Sequence, residues 1–149
     1  MEAKNATKLN YIILVLCLLS NFITVNAQQT VLGHWKTIDD KTGEARSIVE
    51  IYKDGDRVYG RIKKVLKEQD QDKTCIYCQG ENYNKPIRGL VIINNLEKEG
   101  DEYEGGTILD PENGKVYRCK IWLDDEDPNV LNVRGYIAFL YRTQQWIRV

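Results

Sequence analysis

The side chains in this chain best spaced for chemistry are those of Cys75-Ile76-Tyr77-Cys78. A Cys-x-x-Cys pair suits a local disulfide, a thiol redox couple or half of a zinc site. A redox couple needs a strand–turn–helix setting that lowers one thiol's pKa. Here Gln79-Gly80 and a loop carrying Pro86 follow instead, so the simpler expectation is a disulfide that staples its own loop. Zinc would need Cys119 and the sole histidine, His34, to complete a Cys₃His set. Cys119 shares an alternating apolar face with Tyr117 and Ile121, which reads as a core thiol, or else it pairs with one of the loop cysteines. The expectation is therefore no metal and no cofactor.

No catalytic constellation stands out. His34 has neither a second histidine nor a nearby serine nucleophile, and it points away from Trp35 if the segment is a strand. The carboxylates cluster at Asp39-Asp40, Asp54/Asp56, Asp70/Asp72 and Asp124 to Asp127, where turn chemistry accounts for them. Asp70-x-Asp72-x-Thr74 lacks the glycine and distal glutamate of a calcium loop. Arg134 and Arg142 are more suggestive, since charged groups inside a barrel orient polar ligands. With Trp35, Tyr117 and Tyr136 they form the candidate ligand-binding set. The competing reading of Arg134 is a solvent-facing strand position.

These residues sit on short strands separated by turns. Val31 to Ile38, Arg46 to Lys53 and Arg57 to Leu66 alternate with period two, as do Glu102 to Leu109 and Lys115 to Leu123. Asp54-Gly55 and Asp110-Pro111-Glu112-Asn113-Gly114 carry hairpin-turn chemistry. Lys67 to Arg88 breaks the rhythm as one long loop, of a length that is usually functional, a lid or stapled. Gly89 to Leu96 is a buried strand or a short helical turn leading into one. Gly105-Gly106 inside a strand marks a bulge, a corner or a close backbone approach. Leu131 to Val149, rich in apolar, β-branched and aromatic residues, must bury the chain end by pairing with the first strand at Gly33-His34-Trp35. Gly33, Trp35, Trp146 and Arg148 would then close the sheet. The fold class expected is all-β: one antiparallel barrel of about eight strands, with the long loop between the third and fourth.

The first 27 residues read as an address rather than as fold. Lys4 and Lys8 precede an apolar run from Tyr11 to Val25, and Val25-Asn26-Ala27 suits a signal peptidase. The strongly apolar part before Ser20 is shorter than the ~20 residues of a spanning helix. The expected organisation is a signal peptide over 1–27 and a single barrel domain over 28–149, periplasmic or secreted, with no membrane span once the signal is removed. Taking Lys4, Lys8 and Glu2 from 21 basic and 22 acidic residues leaves 19 and 21, a net charge near −2. No basic excess points to nucleic acid. Arg61-Ile62-Lys63-Lys64 fits the solvated face of a strand.

Several spaced motifs carry a family resemblance: Gly33-x-Trp35, Gly89-Leu90-Val91-Ile92, Gly105-Gly106-Thr107-Ile108 with Asp110-Pro111, Gly114-Lys115-x-Tyr117, Val133-Arg134-Gly135-Tyr136, and Arg142-Thr143-Gln144-x-Trp146-x-Arg148. Through them the chain resembles domain-of-unknown-function family 2147, small exported bacterial proteins, over essentially all of residues 28–149. The resemblance implies a lipocalin-like barrel and brings no established activity. Some members carry paired cysteines on the second and third strands, which Lys53 to Leu66 lacks. Lipocalins also place an arginine near the chain end across the indole of a first-strand Gly-x-Trp, which implies a cation–π contact of Arg148 on Trp35.

Three functions follow as expectations. The first is a non-enzymatic exported barrel that binds a small apolar or amphipathic ligand, or a partner, at an open end covered by the Cys75–Cys78 loop. The second is a structural or envelope-interaction protein with a filled barrel. The third is a thiol redox factor acting through Cys75 and Cys78. An interior packed by Trp35, Tyr117 and Trp146 would weigh against the first.

Overall fold

Eight antiparallel strands run in simple sequence order around a closed barrel. They are β1 (Gly33–Ile38), β2 (Ala45–Asp54), β3 (Arg57–Val65), β4 (Val91–Glu99), β5 (Glu102–Asp110), β6 (Lys115–Leu123), β7 (Val130–Ile137) and β8 (Leu140–Arg148). The structure, a computed structural model, describes residues 29–149, and the leader read over 1–27 lies outside the described residues. The all-β antiparallel barrel of about eight strands expected from the sequence is the fold observed. Of the two readings of Gly89 to Leu96, the strand is observed: Gly89 and Leu90 lead into β4 and Val91 to Leu96 lie within it, with Asn95 at φ 62 forming a bulge before Leu96.

Alternation decides which side chains fill the barrel, because successive residues of a strand face opposite ways. The inward set includes Trp35 on β1, Val49 and Ile51 on β2, Val58 and Ile62 on β3, and Ile93 and Leu96 on β4. It continues with Cys119 and Ile121 on β6, Leu131 and Val133 on β7, and Trp146 on β8, none more than 4% exposed. Packing is tight at this level: a Cβ on Gly60 would lie 3.0 Å from both Ile51 and Ile93.

One end of the barrel is sealed. Trp35 pairs with Arg148 across the β1–β8 closure, and the Arg148 guanidinium carbon lies 4.1 Å from the centroid of the Trp35 ring. The Trp35 indole N–H donates to the carbonyl of buried Val31 at 2.8 Å, drawing the preceding segment over the opening. Arg148 donates to the carbonyls of Thr30, Leu32 and Pro128, at 2.8, 3.4 and 3.2 Å. One side chain thus ties the segment before β1 to the β6–β7 loop. Burial works against its charge and lowers its pKa, and the three carbonyl dipoles offset that cost.

The long loop is not a lid over the other, rim end. Ile92 and Leu109 occupy outward positions of β4 and β5, out of phase with inward Ile93 and Ile108, yet they are only 6% and 4% exposed. Their cover includes this loop, whose Cys75 and Cys78 are 0% and 3% exposed within the same core cluster. The two cysteines form a disulfide with a Cα–Cα distance of 5.3 Å. Cys75 Sγ sits 3.5 Å from the carbonyl of Pro111, and the Tyr77 carbonyl occupies the space that a side chain on Gly114 would need. Residues 66–90 therefore form a strap docked on the outside of the β5–β6 hairpin. Sequence alone could not distinguish strap from lid, because the docking partners lie some 35 residues further along the chain. Replacing both cysteines by serine is expected to lower stability by about 2 kcal/mol, since a ring this short restrains little of the unfolded chain. Denaturant unfolding would measure that loss, and hydrogen exchange should locate it at the amides of Cys75 and Asn84, whose bonds to Lys85 and Cys75 carbonyls hold the strap.

Candidate functional site

The β7–β8 register determines how the candidate ligand-binding residues are distributed. Leu131↔Trp146, Val133↔Gln144 and Gly135↔Arg142 face inward, while Asn132↔Gln145, Arg134↔Thr143 and Tyr136↔Tyr141 face outward. The five candidates therefore do not converge. Trp35 plugs the sealed end, Tyr117 lines the interior near the rim, and Arg142 stands on the rim itself. Arg134 and Tyr136 lie on the outer surface. Of the two readings of Arg134, a pocket residue or a solvent-facing strand position, the register gives the second, because its neighbour Val133 takes the core position.

At the rim, charged residues from five separate elements meet. Arg142 on β8 donates through Nε to Asp40 of the β1–β2 loop at 2.9 Å, and Gln144 reaches the same carboxylate at 3.2 Å. Arg46 on β2 pairs with Asp39 at 3.2 Å and with Glu112 of the β5–β6 turn, three strand positions away around the barrel. Asp110, half-buried between these two arginines, is pushed up in pKa by burial against their combined attraction. Its oxygens accept from the Glu112 amide and the Asn113 side chain, so it also holds the turn.

This half-buried carboxylate gives a pH signature. Its folded pKa is raised above the ordinary 3.8, so its contribution favours the fold below that pH and is lost as pH rises through the folded value. Asp110→Asn keeps an acceptor for the turn amide and removes the buried charge. The variant should melt above wild type at pH 7 and equal to it near pH 3, in paired thermal scans. Asp39 and Asp124 act in the opposite direction. Asp39 accepts from the amides of Lys41 and Thr42, and Asp124 from the Asn132 side chain and the amides of Glu126 and Asp127. Both pKa values are lowered, so their stabilisation is present above 3.8 and lost on acidification.

Two shallow depressions flank the barrel, both involving its outer face. The β1–β8 closure is short, with only Trp35↔Arg148 and Lys36↔Ile147 in register. Beyond it the strands diverge into a groove of about 490 Å³ that includes Ile38, Asn132, Thr143 and Ile147. A second depression, about 290 Å³, opens where β5 slips register against β6 at Gly105-Gly106, beside Arg118, Lys120 and Tyr136. Cys119 is at its floor, 2% exposed, with its thiol pushed up to about 12 by burial. It is a free core thiol and carries little thiolate at neutral pH. The Cys₃His alternative is not assembled: Cys75 and Cys78 are bonded to each other, and His34 is exposed at the sealed end. Nor does the disulfide have a redox setting. Both sulfurs are buried, and a single 3₁₀ turn, Gly80–Asn82, follows where a helix would be required.

The outer face of β6, β7 and β8 was not legible from composition. Arg134 lies 4.9 Å from the Trp122 ring and 4.3 Å from the Tyr141 ring, and its Nε donates to Thr143 at 2.7 Å. Arg118 sits 5.8 Å from the Tyr136 ring, and Lys120 lies 5.7 Å from Trp122. The three strands carry Lys115, Arg118, Lys120, Arg134, Arg142 and Arg148 and not one carboxylate. Pairings such as Lys120↔Arg134 and Arg118↔Tyr136 gather three of these cations, Arg118, Lys120 and Arg134, on one outer surface. The chain's near-neutral balance hides this segregation.

The model of domain-of-unknown-function family 2147, described as uncharacterized protein conserved in bacteria, matches residues 33–148, from the first residue of β1 to the last of β8. The chain belongs to that family. No curated protein matches this member of family 2147. Among solved structures it is similar to protein HP1028 from the human pathogen Helicobacter pylori, described as belonging to the lipocalin family. That match has a TM-score of 0.68 at 18% identity and covers 80% of this chain and 83% of that one. At this identity the likeness concerns the fold alone. The family 2147 barrel therefore shares the lipocalin architecture, and its activity has to be argued from its own residues.

Proposed function

We propose that this protein is exported and acts through its outer surface at the rim end, as an envelope-interaction protein built on a filled barrel. The observation that carries this reading is the occupied interior. Trp35, Trp146, Ile51, Ile93, Leu96, Ile121 and Leu131 are all at most 2% exposed, while both depressions involve the outer face. Eight strands enclose room for side chains or for one small ligand, and two inward tryptophans take up much of it. The leader-like residues 1–27 and the Cys75–Cys78 disulfide support export, since disulfides persist in oxidising compartments.

A second reading, favoured by Asp110, Arg142 and Gln144 at the rim, is a small amphipathic ligand seated above Tyr117 with its polar group among these side chains. Native mass spectrometry of protein purified from its own host separates the two. The filled barrel predicts a bare mass beginning at Gln28. A retained stoichiometric small molecule, lost in Arg142→Ala, would overturn the filled-barrel reading in favour of the second. A mass that includes Met1 would overturn the export reading.

A further inference from the structure

We propose that the β7–β8 hairpin tip inserts into the interface of an anionic lipid bilayer; this rests on the surface-acting reading above. The tip is apolar and uncovered. Ile137, Phe139 and Leu140 are 54%, 90% and 59% exposed around the turn at Ala138, whose φ is 51. Exposed Val116 on β6 and Ile76 and Tyr77 on the strap belong to the same end of the barrel. Three segments distant in sequence thus present apolar side chains at one end. The sealed end presents Ile147 and Val149, isolated at the chain terminus.

The order of chemistry down the hairpin favours a bilayer as the occupant. Successive pairs from the turn are Ile137↔Leu140, Tyr136↔Tyr141, Gly135↔Arg142 and Arg134↔Thr143. Apolar groups come first, then a tyrosine pair, then arginines. At about 3.4 Å per residue the first arginine pair lies ~7 Å behind Ile137↔Leu140, within the depth that interfacial elements reach. A membrane presents the same sequence along its normal: acyl boundary, aromatic belt, anionic headgroups. The charge is complementary as well. Arg118 and Arg134 make no ion pair among the described residues, whereas the carboxylates of neighbouring β5, Glu102 and Glu104, are paired with Lys120, and at the rim Asp39, Asp40 and Glu112 are paired with Arg46 and Arg142. Nucleic acid would engage the arginines and tyrosines but would leave Ile137, Phe139 and Leu140 in water.

The test is flotation with phosphatidylcholine vesicles, alone or mixed with phosphatidylglycerol. It uses protein recovered from the exporting host, with wild type and variants sharing one N terminus by intact mass, so that the leader cannot produce a difference. Wild type should float with the mixed vesicles. F139S/L140S should lower partitioning about tenfold or more, because two exposed apolar side chains lose their transfer to lipid. R118E/R134E should abolish the preference for phosphatidylglycerol. Far-UV circular dichroism and unchanged melting establish that both variants are folded. Absence of wild-type flotation would overturn the proposal, as would equal flotation of F139S/L140S. Binding to a single-stranded oligonucleotide that is lost in R118E/R134E but kept in F139S/L140S, without flotation, would assign the face to nucleic acid. Any of these failures leaves the filled barrel standing, since that reading falls only to a retained ligand.

Discussion

Trp35→Ala should cost about 3–5 kcal/mol in chemical denaturation, the loss expected when a large aromatic is truncated inside a packed core. Trp35 is fully buried and does three jobs. Its ring fills the sealed end, its N–H anchors Val31, and its face receives Arg148. Trp35→Phe separates them, because it keeps most of the ring volume and gives up the bond to Val31. That variant should lose roughly 1–2 kcal/mol, with hydrogen exchange rising in residues 30–32 ahead of the barrel. The cation–π part, roughly 0.5–2 kcal/mol, can be read from a double-mutant cycle of Trp35→Ala with Arg148→Ala. If Trp35→Ala unfolded at the wild-type denaturant midpoint, the sealed end would not hold the chain ends together.

Gly106→Val should destabilise by about 3 kcal/mol or prevent folding. The reason is backbone, not side chain. A Cβ at Gly106 would overlap the Asn94 carbonyl and crowd Asn95, the bulged residue of β4 at φ 62. A flexible side chain could rotate away, but a strand already paired on both edges cannot, so β4 or β5 would have to give up register. Circular dichroism and thermal melting of the variant check this directly. Gly105→Ala is the matched control: its Cβ meets nothing within 4 Å, and only the positive φ of 80 is strained. It should cost no more than about 1–2 kcal/mol. Equal stability of Gly106→Val and wild type would mean that the close approach of β4 and β5 is not as drawn.

The strands and their faces were legible because period-two alternation is a local signal, and the glycine and aspartate turns that separate them are local too. On β2 the set Ser47, Val49 and Ile51 and on β6 the set Tyr117, Cys119 and Ile121 fall on the inward face, as the alternation requires. The loop read as a lid is a strap, because its docking surface on Pro111 and Gly114 has no local signature in residues 66–90. The closing stretch was expected to bury its apolar side chains. It buries Leu131, Val133 and Trp146, whereas Phe139, Leu140 and Tyr141 stand exposed at the turn. An apolar residue in a hairpin turn has the composition of a core residue and the position of a surface one, and composition alone cannot separate the two.

By itself the sequence determined the all-β class, the approximate positions of β1, β2, β3, β5 and β6, and the Cys75-x-x-Cys78 spacing that suits a local staple. Each depends on short-range periodicity, on turn chemistry or on spacing within a few residues. Tertiary structure decided which charges and surfaces come together: Arg46 with Glu112 across the rim, Arg142 with Asp40 over the diverging seam, and Arg118, Lys120 and Arg134 on one outer face beside Glu102 and Glu104 of β5. Those groupings depend on inter-strand register, and register is set by bulges at Ile48/Val49, Asn95 and Gly105-Gly106. A one-residue slip at any of them would turn every later side chain of that strand to the other face.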